Sequence, residues 1–566
     1  MTDRLGAQHG MTSGQHQAGS GWLIALAAGC VLLIWFGTLD ARHLLRSDEG
    51  RYAEIAREMF MSGDWVTIRY NDLKYFEKPP LHLWMTALAY EVFGVGDWQA
   101  RLWVAISGAA GLLLTMVAAR RWFGARVALL AGLVLLAAPN WNLGGHFNSL
   151  DMSVSGALAA VLAATLLAQH PQADVVTRQR WMWLAWAAMG LAVLTKGLIG
   201  IVLPGLALVV YMAWVRDLGL CRRLHMGTGL LVLLAITVPW FWLVAQRNPD
   251  FLHFFFIHEH FERYVSGVHQ RGAPAWYFIP QLLVGFLPWL GLAPGIVAVV
   301  RAAPRTAGLQ PTHLLAAWAG SIFVFFSMSG SKLPGYILPM MPALALLAAL
   351  ALDRLSDSHW RRMLLGALVV TLAMTLASPF VARLSSSTTP NELFRAYAPW
   401  IGVAALVLMA GAAAALWLQR QGRRLASMAV YALGMFVGVT VGLLGHETLG
   451  RSSSGVDLVP RIQGLLEPGM PIYGVQLLDH TLPFYLRHTL VMVAAPDELE
   501  FGTQQEPQKW LPTLAVFIER WKTGPRALAV MSPETFENLR TQGLPMSAVA
   551  QDARRVVVAN FETAPP

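Results

Sequence analysis

The sequence predicts a polytopic α-helical membrane protein that ends in a small soluble α/β domain. The first observation is composition. Of the 566 residues, 55% are hydrophobic and only 13% are charged, whereas a soluble domain carries about 25% charged residues. The second is arrangement, because the apolar residues fall into long runs separated by short turns rich in Arg, Gly or Pro. The third is a change of pattern after residue 446, where short β-like runs alternate with helix-like stretches.

These patterns divide the chain into three segments. Residues 1–20 are polar and rich in Gly and Gln, which predicts a disordered, cytoplasmic N-terminus. Residues 21–446 form the transmembrane part, with a long first loop at 40–100 on the outer side. Residues 447–566 form the α/β domain, which we also place outside. It has no phosphate-cradling glycine loop, so we expect it to cap or dock rather than to catalyse.

About thirteen apolar runs are predicted to span the membrane. They are 21–39, 101–119, 126–139, 150–168, 181–195, 198–215, 226–245, 277–300, 313–328, 333–352, 363–382, 398–418 and 425–445. A further run, 81–95, is short for a span and contains His82 and Glu91. If it does not cross, most arginines after residue 100 fall in cytoplasmic turns, as the positive-inside rule requires. We therefore predict an interfacial or re-entrant helix at 81–95.

The net charge of +9 does not indicate nucleic acid, because the basic residues lie in short turns between spans. The same orientation brings the reactive side chains to the outer face. This indicates an enzyme working at that face, since transporters place ionisable groups near mid-depth. Cys30 and Cys221 lie at different depths, so we expect no disulfide between them.

A polar island follows the first span. Its two parts, residues 47–52 and 75–80, read Ser-Asp-Glu-Gly-Arg-Tyr and Tyr-Phe-Glu-Lys-Pro-Pro. Charged side chains beside a membrane are costly unless they face water or one another. Ser47 can cap a helix, and Asp48 and Glu49 can be first-turn acids stabilised by the helix dipole. The same carboxylates are also the first candidates for chemistry.

The island and several later stretches resemble the bacterial lipid A aminoarabinose transferases. These are membrane glycosyltransferases of the GT-C class, related to the protein O-mannosyltransferases. The matching stretches are 47–59, 62–66, 75–80, 194–197, 258–263 and 331–336. The resemblance covers most of the membrane region and fades in the C-terminal domain. It implies an inverting transfer of 4-amino-4-deoxy-L-arabinose from undecaprenyl phosphate to lipid A at the periplasmic face of the inner membrane. Resistance to polymyxin and other cationic peptides would follow.

Two acidic residues are the expected catalytic residues. Asp48 leads, and the resemblance implies that Asp151 assists it, although Asp151 could be only a helix N-terminal acid. Asp48 would act as a general base toward a hydroxyl acceptor. A phosphate monoester, with a second pKa near ~6, is already a nucleophile at neutral pH. Asp48 could then orient the acceptor or bind the ammonium group of the donor. Further residues expected at this site are Glu49, Arg51, Tyr52 and Tyr336.

Cations should stabilise the negative charge that grows on the leaving phosphate. The candidates are Lys78, Lys196, Arg263 and Lys332. Each could instead be a side chain that snorkels to the membrane surface. That alternative is least suited to Lys196, which lies between two apolar spans on the outer face.

A divalent metal, with zinc favoured, is the only cofactor that the sequence indicates. Glu77 and His258 could hold it from two loops, although His258 and His260 lack helical i,i+4 spacing and could be wet interfacial histidines. The expected partners are an undecaprenyl-phosphate-linked sugar, lipid A and membrane lipids, with no nucleic acid. We expect a monomer.

Two other functions remain open at this point. One is a related transferase that moves another sugar, such as mannose, to protein hydroxyls. The other is a lipid or solute transporter, which the nearly charge-free spans argue against.

Overall fold

The computed structural model describes residues 12–257, 273–305 and 308–563, and its account of side chains begins at Ala25. The first half of the chain is helical apart from one short hairpin. Its elements are α1 (Thr12–Gly37), α2 (Asp48–Ser62), β1 (Arg69–Tyr70), β2 (Leu73–Lys74), α3 (Leu81–Phe93), α4 (Asp97–Phe123), α5 (Ala125–Ala137), α6 (Pro139–Gly144), α7 (Leu150–Ala168), α8 (Val175–Lys196), α9 (Ile199–Val215), α10 (Leu220–Arg223), α11 (Met226–Arg247) and α12 (Phe251–His253).

The second half adds further long helices and then a mixed α/β domain. Its helices are α13 (Phe278–Gly285), α14 (Ala293–Arg301), α15 (Pro311–Met328), α16 (Met341–Arg354), α17 (Asp357–Val381), α18 (Asn391–Arg420), α19 (Arg424–Gly445), α20 (Glu447–Ser454), α21 (Val459–Gln463), α22 (Leu482–Leu486), α23 (Glu500–Gln505), α24 (Leu514–Thr523) and α25 (Pro533–Thr541). Its strands are β3 (Ile472–Val475), β4 (Val491–Val493), β5 (Leu528–Met531), β6 (Ser547–Gln551) and β7 (Val556–Ala559).

The helical bundle matches the predicted membrane fold. Among the described residues, eight helices are long and apolar enough to cross a membrane, and up to nine if one bent pair counts as a span. That pair covers the run 277–300, which is predicted as one span, and it bends by 94°. The break falls just before Pro288, because proline removes a backbone donor and clashes with the preceding turn. The count of about thirteen spans stays a prediction.

Two elements bear on the predicted boundaries. α1 begins at Thr12, inside the segment predicted to be disordered, because no proline separates it from the apolar run. α3 has 13 residues and is therefore ~20 Å long, too short for a hydrocarbon layer of ~30 Å. It packs on α2 and α4. Its predicted interfacial position is consistent with that length.

Close helix packing positions the N-terminal end of α7. A Cβ on Gly156 would lie 2.5 Å from the backbone oxygen of Ser107 on α4. Only glycine therefore permits this crossing distance, as at small-residue interfaces between membrane helices. Trp35 of α1 packs in a similar way against Gly108 and Gly145. Together these contacts fix α1, α4 and α7 next to one another.

The C-terminal domain contains a five-stranded sheet with the order β4-β3-β5-β7-β6. β3 pairs in parallel with β4 and β5, whereas β7 pairs antiparallel with β5 and β6. Every residue of β3, β5 and β7 is buried, and separate apolar clusters cover the two faces of the sheet. Four of the strands, β3, β4, β5 and β7, lie at the β-like runs that the sequence predicts at 471–475, 489–493, 527–531 and 555–558. The sequence did not reveal β6, whose Ser-Ala-Val-Ala-Gln stretch contains only one β-branched residue.

The C-terminal domain lies against the first outer loop. A Cβ on Gly50 would lie 2.3 Å from the backbone oxygen of His480. The Tyr70 hydroxyl lies 2.7 Å from His480 Nδ1. Asn71 Oδ1 accepts a hydrogen bond from the backbone N–H of Leu490 at 3.1 Å. The domain therefore contacts α2 and the hairpin directly, and its expected capping or docking role stays a prediction.

Candidate active site

A polar pocket lies where the N-terminal ends of α2 and α7 meet the C-terminal end of α8. It encloses about 360 Å³ of empty space, including the part open to solvent. The residues that line it are Asp48, Arg51, Tyr52, Glu77, Lys78, Leu150, Asp151, Lys196, Leu333 and Tyr336. Eight of these ten were predicted as site residues. Five separate segments of the sequence thus converge on one cavity.

The first turn of α2 presents Asp48 to this pocket. Ser47, predicted as a helix cap, makes no capping hydrogen bond through its side chain and has a positive φ of 74°. The first amide groups of the helix are instead satisfied by backbone oxygens. The N–H of Gly50 donates to Leu45 at 3.1 Å, and the N–H of Arg51 donates to Ser47 at 3.0 Å. The Asp48 side chain, 34% exposed, is not needed as a cap.

Glu49 points away from the pocket lining into the protein. Arg42 donates to its two carboxylate oxygens at 2.9 and 3.0 Å, and Arg101 donates at 2.8 and 3.2 Å. The backbone N–H of Asn148 adds a bond of 3.0 Å. Burial alone would raise the pKa of Glu49, but the charges of Arg101 and Arg42 hold it well below its ordinary value. Glu49 is therefore a buried anion that fixes the turn carrying Asp48.

Each cation that lines the pocket forms an ion pair. Arg51 bridges Asp48 and Glu498 of the C-terminal domain. Lys196 pairs with Asp151.

Lys78 Nζ lies 3.4 Å from Glu77 Oε2. Each positively charged side chain of the pocket thus lies next to a carboxylate. Such a lining can bind a phosphate through its cations while keeping carboxylates near the reacting atoms.

Two tyrosines complete the wall. Lys196 Nζ lies 4.5 Å from the ring centroid of Tyr336, a cation–π contact. Burial raises the pKa of Tyr52 well above its ordinary value, so its phenol stays a neutral hydrogen-bond donor at neutral pH. Both residues were predicted at this site.

Besides Glu49, one predicted residue lies away from the pocket lining and two lie outside the described residues. Lys332 does not line the pocket. The residue is buried at 7% exposure, and its ammonium group donates to the backbone oxygen of Ser329. Arg263 and His258 lie outside the described residues. Their predicted roles in phosphate and metal binding therefore stay predictions.

Of the two residues predicted to hold a metal, Glu77 and His258, the structure describes Glu77. Its carboxylate accepts a hydrogen bond of 3.3 Å from the Tyr75 hydroxyl and lies beside Lys78. In residues 12–257, 273–305 and 308–563, no group of three or more His, Cys, Asp or Glu side chains is placed to hold a metal ion. A zinc site at Glu77 would need His258 or another ligand from outside these ranges.

Sequence reasoning missed the residues behind the pocket. Arg42 and Arg101 are 3% and 1% exposed, and the sequence pattern predicts neither as a partner of the carboxylates. Arg101 had a usable signal, because an arginine within an apolar run needs a counter-charge. Glu498 had none, since it lies more than 400 residues away in sequence from the residue that it contacts.

Comparison with known proteins identifies the family of the chain. Residues 458–560 match the aminoarabinose transferase C-terminal domain, and residues 77–242 match the dolichyl-phosphate-mannose-protein mannosyltransferase family. Two relatives carry the name undecaprenyl phosphate-alpha-4-amino-4-deoxy-L-arabinose arabinosyl transferase. The one from Shewanella sediminis is 34% identical over 394 residues, which are 68% of this chain and 69% of the relative. The one from Erwinia tasmaniensis is 36% identical over 55% of this chain and 56% of its own length.

A solved structure extends the likeness to nearly the full chain. ArnT from Cupriavidus metallidurans, crystallised with undecaprenyl phosphate, is 56% identical to this chain and superimposes with a TM-score of 0.92. The superposition covers 96% of this chain and 98% of that one. Likeness at this level spans the membrane bundle, the pocket and the C-terminal domain alike. The chain therefore belongs to the aminoarabinose transferase family of GT-C membrane glycosyltransferases.

Proposed function

We propose that this chain transfers 4-amino-4-deoxy-L-arabinose from undecaprenyl phosphate to a phosphate of lipid A at the periplasmic face of the inner membrane. The observation that carries the proposal is the likeness, 56% identity at a TM-score of 0.92, to an ArnT crystallised with undecaprenyl phosphate. The pocket supports it, because Asp48 and Asp151 lie in it beside three cations.

The reaction replaces one phosphate by another at the anomeric carbon. An oxygen of the lipid A phosphate forms a bond to that carbon, and the bond from the carbon to the donor phosphate oxygen breaks. Undecaprenyl phosphate leaves with the electron pair of the broken bond. When the acceptor attacks as a dianion, the charges balance without a proton transfer. Catalysis then depends on positioning and on stabilising the charge of the leaving phosphate.

The pocket cations suit that charge. Lys78 lies three residues before α3 and Lys196 at the end of α8, so the two approach the cavity from different parts of the chain. Both are held by carboxylates in the structure. A bound phosphate would compete for these ammonium groups. Arg263 is a further proposed phosphate ligand, because a guanidinium binds phosphate through two parallel hydrogen bonds.

Asp48 has two possible tasks. If the acceptor phosphate still carries a proton, Asp48 accepts it as the new bond forms. If the acceptor is already a dianion, Asp48 orients the reactants or binds the ammonium group of the sugar. In either case, its pairing with Arg51 holds the carboxylate at the pocket.

We place the pocket and the C-terminal domain in the periplasm, and we expect a monomer. Loss of negative charge from lipid A would confer resistance to polymyxin and other cationic peptides. A divalent metal, with zinc favoured, is proposed at Glu77 and His258, and its presence can be checked by elemental analysis of the purified protein.

A second candidate is a transferase that moves mannose from a polyprenyl phosphate to protein hydroxyls. The match of residues 77–242 to a mannosyltransferase family favours it. A hydroxyl must lose its proton as it attacks, so this reaction would depend strictly on Asp48 as a base.

The test is a mass spectrum of lipid A from a Gram-negative strain that lacks its own transferase, with and without this chain. We expect a gain of one or two aminoarabinose units when the chain is expressed, and the attachment site identifies the acceptor phosphate. A protein present in the membrane that leaves lipid A unchanged would contradict the proposal. Mannose on periplasmic proteins would then support the second candidate.

A further inference from the structure

A buried histidine lies directly behind the pocket. His82 is in the first turn of α3 and is 0% exposed. Its Nδ1 lies 2.9 Å from the Ser153 hydroxyl oxygen, and its Nε2 lies 2.9 Å from Asn148 Oδ1. The ring also contacts Tyr52, a pocket residue, with centroids 5.6 Å apart at an angle of 72°. His82 itself does not line the cavity.

The hydrogen bonds determine which ring nitrogen carries the proton. The amide group of Asn148 donates through Nδ2 to the backbone oxygen of Glu49 at 3.2 Å, so its Oδ1 faces His82. An amide oxygen only accepts, and therefore His82 Nε2 must donate. The Ser153 hydroxyl then donates to Nδ1. Burial lowers the pKa of His82 to about 4, which keeps the ring neutral at neutral pH.

These bonds join three of the five segments that line the pocket. Ser153 lies two residues after Asp151 in the first turn of α7. Asn148 is bonded to both the backbone and the carboxylate of Glu49, the neighbour of Asp48. His82 follows Lys78 by four residues, across two prolines that stiffen the connection. Through these neighbours, the His82 imidazole connects the segments that carry Asp48, Asp151 and Lys78.

We propose that His82 is a positioning residue, which sets the distance between the two carboxylates and the phosphate-binding lysine through its bonds to Asn148 and Ser153. The inference rests on the proposed transferase function. It predicts that changes at His82 act on the rate of the chemical step more than on substrate binding, because the binding groups remain while their spacing is lost. A misplacement of about 1 Å can cost on the order of 10²-fold in rate.

Three substitutions separate the two hydrogen bonds. His82→Leu removes both. His82→Asn can still accept from Ser153, and His82→Gln can still donate to Asn148. With purified protein, an undecaprenyl-phosphate aminoarabinose donor and lipid A, we expect kcat to fall on the order of 10²-fold for Leu and about tenfold for Asn and Gln. The KM for the donor should stay within about twofold of wild type in all three.

A double-mutant comparison tests the link to α7. Ser153→Ala should lower kcat in the wild-type background and should have no further effect when combined with His82→Leu, because both act through one bond. Thr165→Val is the matched control. It changes a buried hydroxyl near the other end of α7 and should leave kcat unchanged.

The inference is overturned if His82→Leu keeps kcat within twofold of wild type, or if only KM rises. Additive effects of Ser153→Ala and His82→Leu would also overturn it. If His82→Leu does not accumulate, a wild-type kcat in both His82→Asn and His82→Gln also overturns the inference. A wild-type protein that transfers no sugar is a different result, which contradicts the proposed function and the inference with it.

Discussion

Asp48 and Glu49 are neighbours in the chain but lie in opposite surroundings. Asp48 lines the pocket and is 34% exposed, whereas Glu49 is buried between Arg42 and Arg101. Successive side chains on an α-helix point about 100° apart around the helix axis. One carboxylate therefore faces the cavity and the other faces the core. The sequence suggested an acidic pair at the site. The structure shows one carboxylate that can meet substrate and one that holds the turn in place.

The buried anion leads to a prediction about stability. Glu49→Gln leaves two buried guanidinium groups without a counter-charge, so the free energy of unfolding should fall by about 3–5 kcal/mol. Denaturant or thermal unfolding in detergent measures the change. Glu537→Gln, at an exposed carboxylate, is the control and should have little effect. An unfolding free energy within about 1 kcal/mol of wild type would contradict the assigned role of Glu49.

The pH dependence of this pair has a definite sign. The pKa of Glu49 is lower in the folded protein than in the unfolded chain. The stabilisation is therefore present above the unfolded pKa, near 4.3, and is lost as pH falls below it. Wild type and Glu49→Gln should converge in stability under acid conditions and differ most near neutral pH.

At the scale of elements, α2 is the point where the membrane bundle meets the C-terminal domain. Its first turn contacts the segment around His480, and Arg51 on the same helix pairs with Glu498. Farther along the loop, Arg69 pairs with Glu506 at 3.0 Å. The C-terminal domain therefore supports the helix that presents Asp48, although none of its described residues lines the pocket.

A substitution at Gly50 tests the contact between α2 and the C-terminal domain. In Gly50→Ala, the new Cβ would lie 2.3 Å from the backbone oxygen of His480, which forces the domain away from α2. We expect faster proteolysis of the C-terminal domain and a lower transfer rate. Gly320→Ala, where a Cβ meets nothing within 4 Å, is the matched control. If Gly50→Ala has wild-type protease resistance and activity, the domain does not depend on this contact.

A second carboxylate of α2 should make stability depend on pH in the opposite direction. Burial and the neighbouring Glu54 raise the pKa of Glu58 to about 8. The folded state then binds more protons than the unfolded state between the unfolded pKa and about pH 8. Stability should therefore fall as pH rises through this window. Glu58→Gln should flatten that part of the curve, and an unchanged slope would contradict the raised pKa.

At the scale of the whole molecule, the orientation in the membrane can be tested with cysteines. Cys221 is exposed and lies in a turn predicted to be cytoplasmic. It should react with a membrane-impermeant maleimide only after cells are permeabilised. Ser387→Cys, at an exposed position between α17 and α18, should react in intact cells when Cys221 is replaced by Ala. The reverse pattern would place the pocket in the cytoplasm.

Local pattern was sufficient to predict apolar helices and four of the five strands of the C-terminal domain. Eight of the residues that line the pocket were predicted from local pattern together with the family resemblance. Local pattern failed where the determinant is a distant partner. Nothing local distinguishes Glu49 as buried from Asp48 as exposed, because the difference depends on Arg42 and Arg101. The run 277–300 bends just before Pro288. Its uniformly apolar composition predicts a single span and does not reveal the bend. The contact between Arg51 and Glu498 depends on how two parts of the chain pack.

The most direct test of the account is transfer by the purified protein. Undecaprenyl-phosphate aminoarabinose and lipid A would be supplied, and both products followed by mass spectrometry for wild type and Asp48→Asn. We expect wild type to form modified lipid A and to release undecaprenyl phosphate in equal amount. We expect Asp48→Asn, folded as judged by its unfolding temperature, to be slower by on the order of 10²-fold or more. Transfer at the wild-type rate by Asp48→Asn would contradict the assignment of this pocket as the active site.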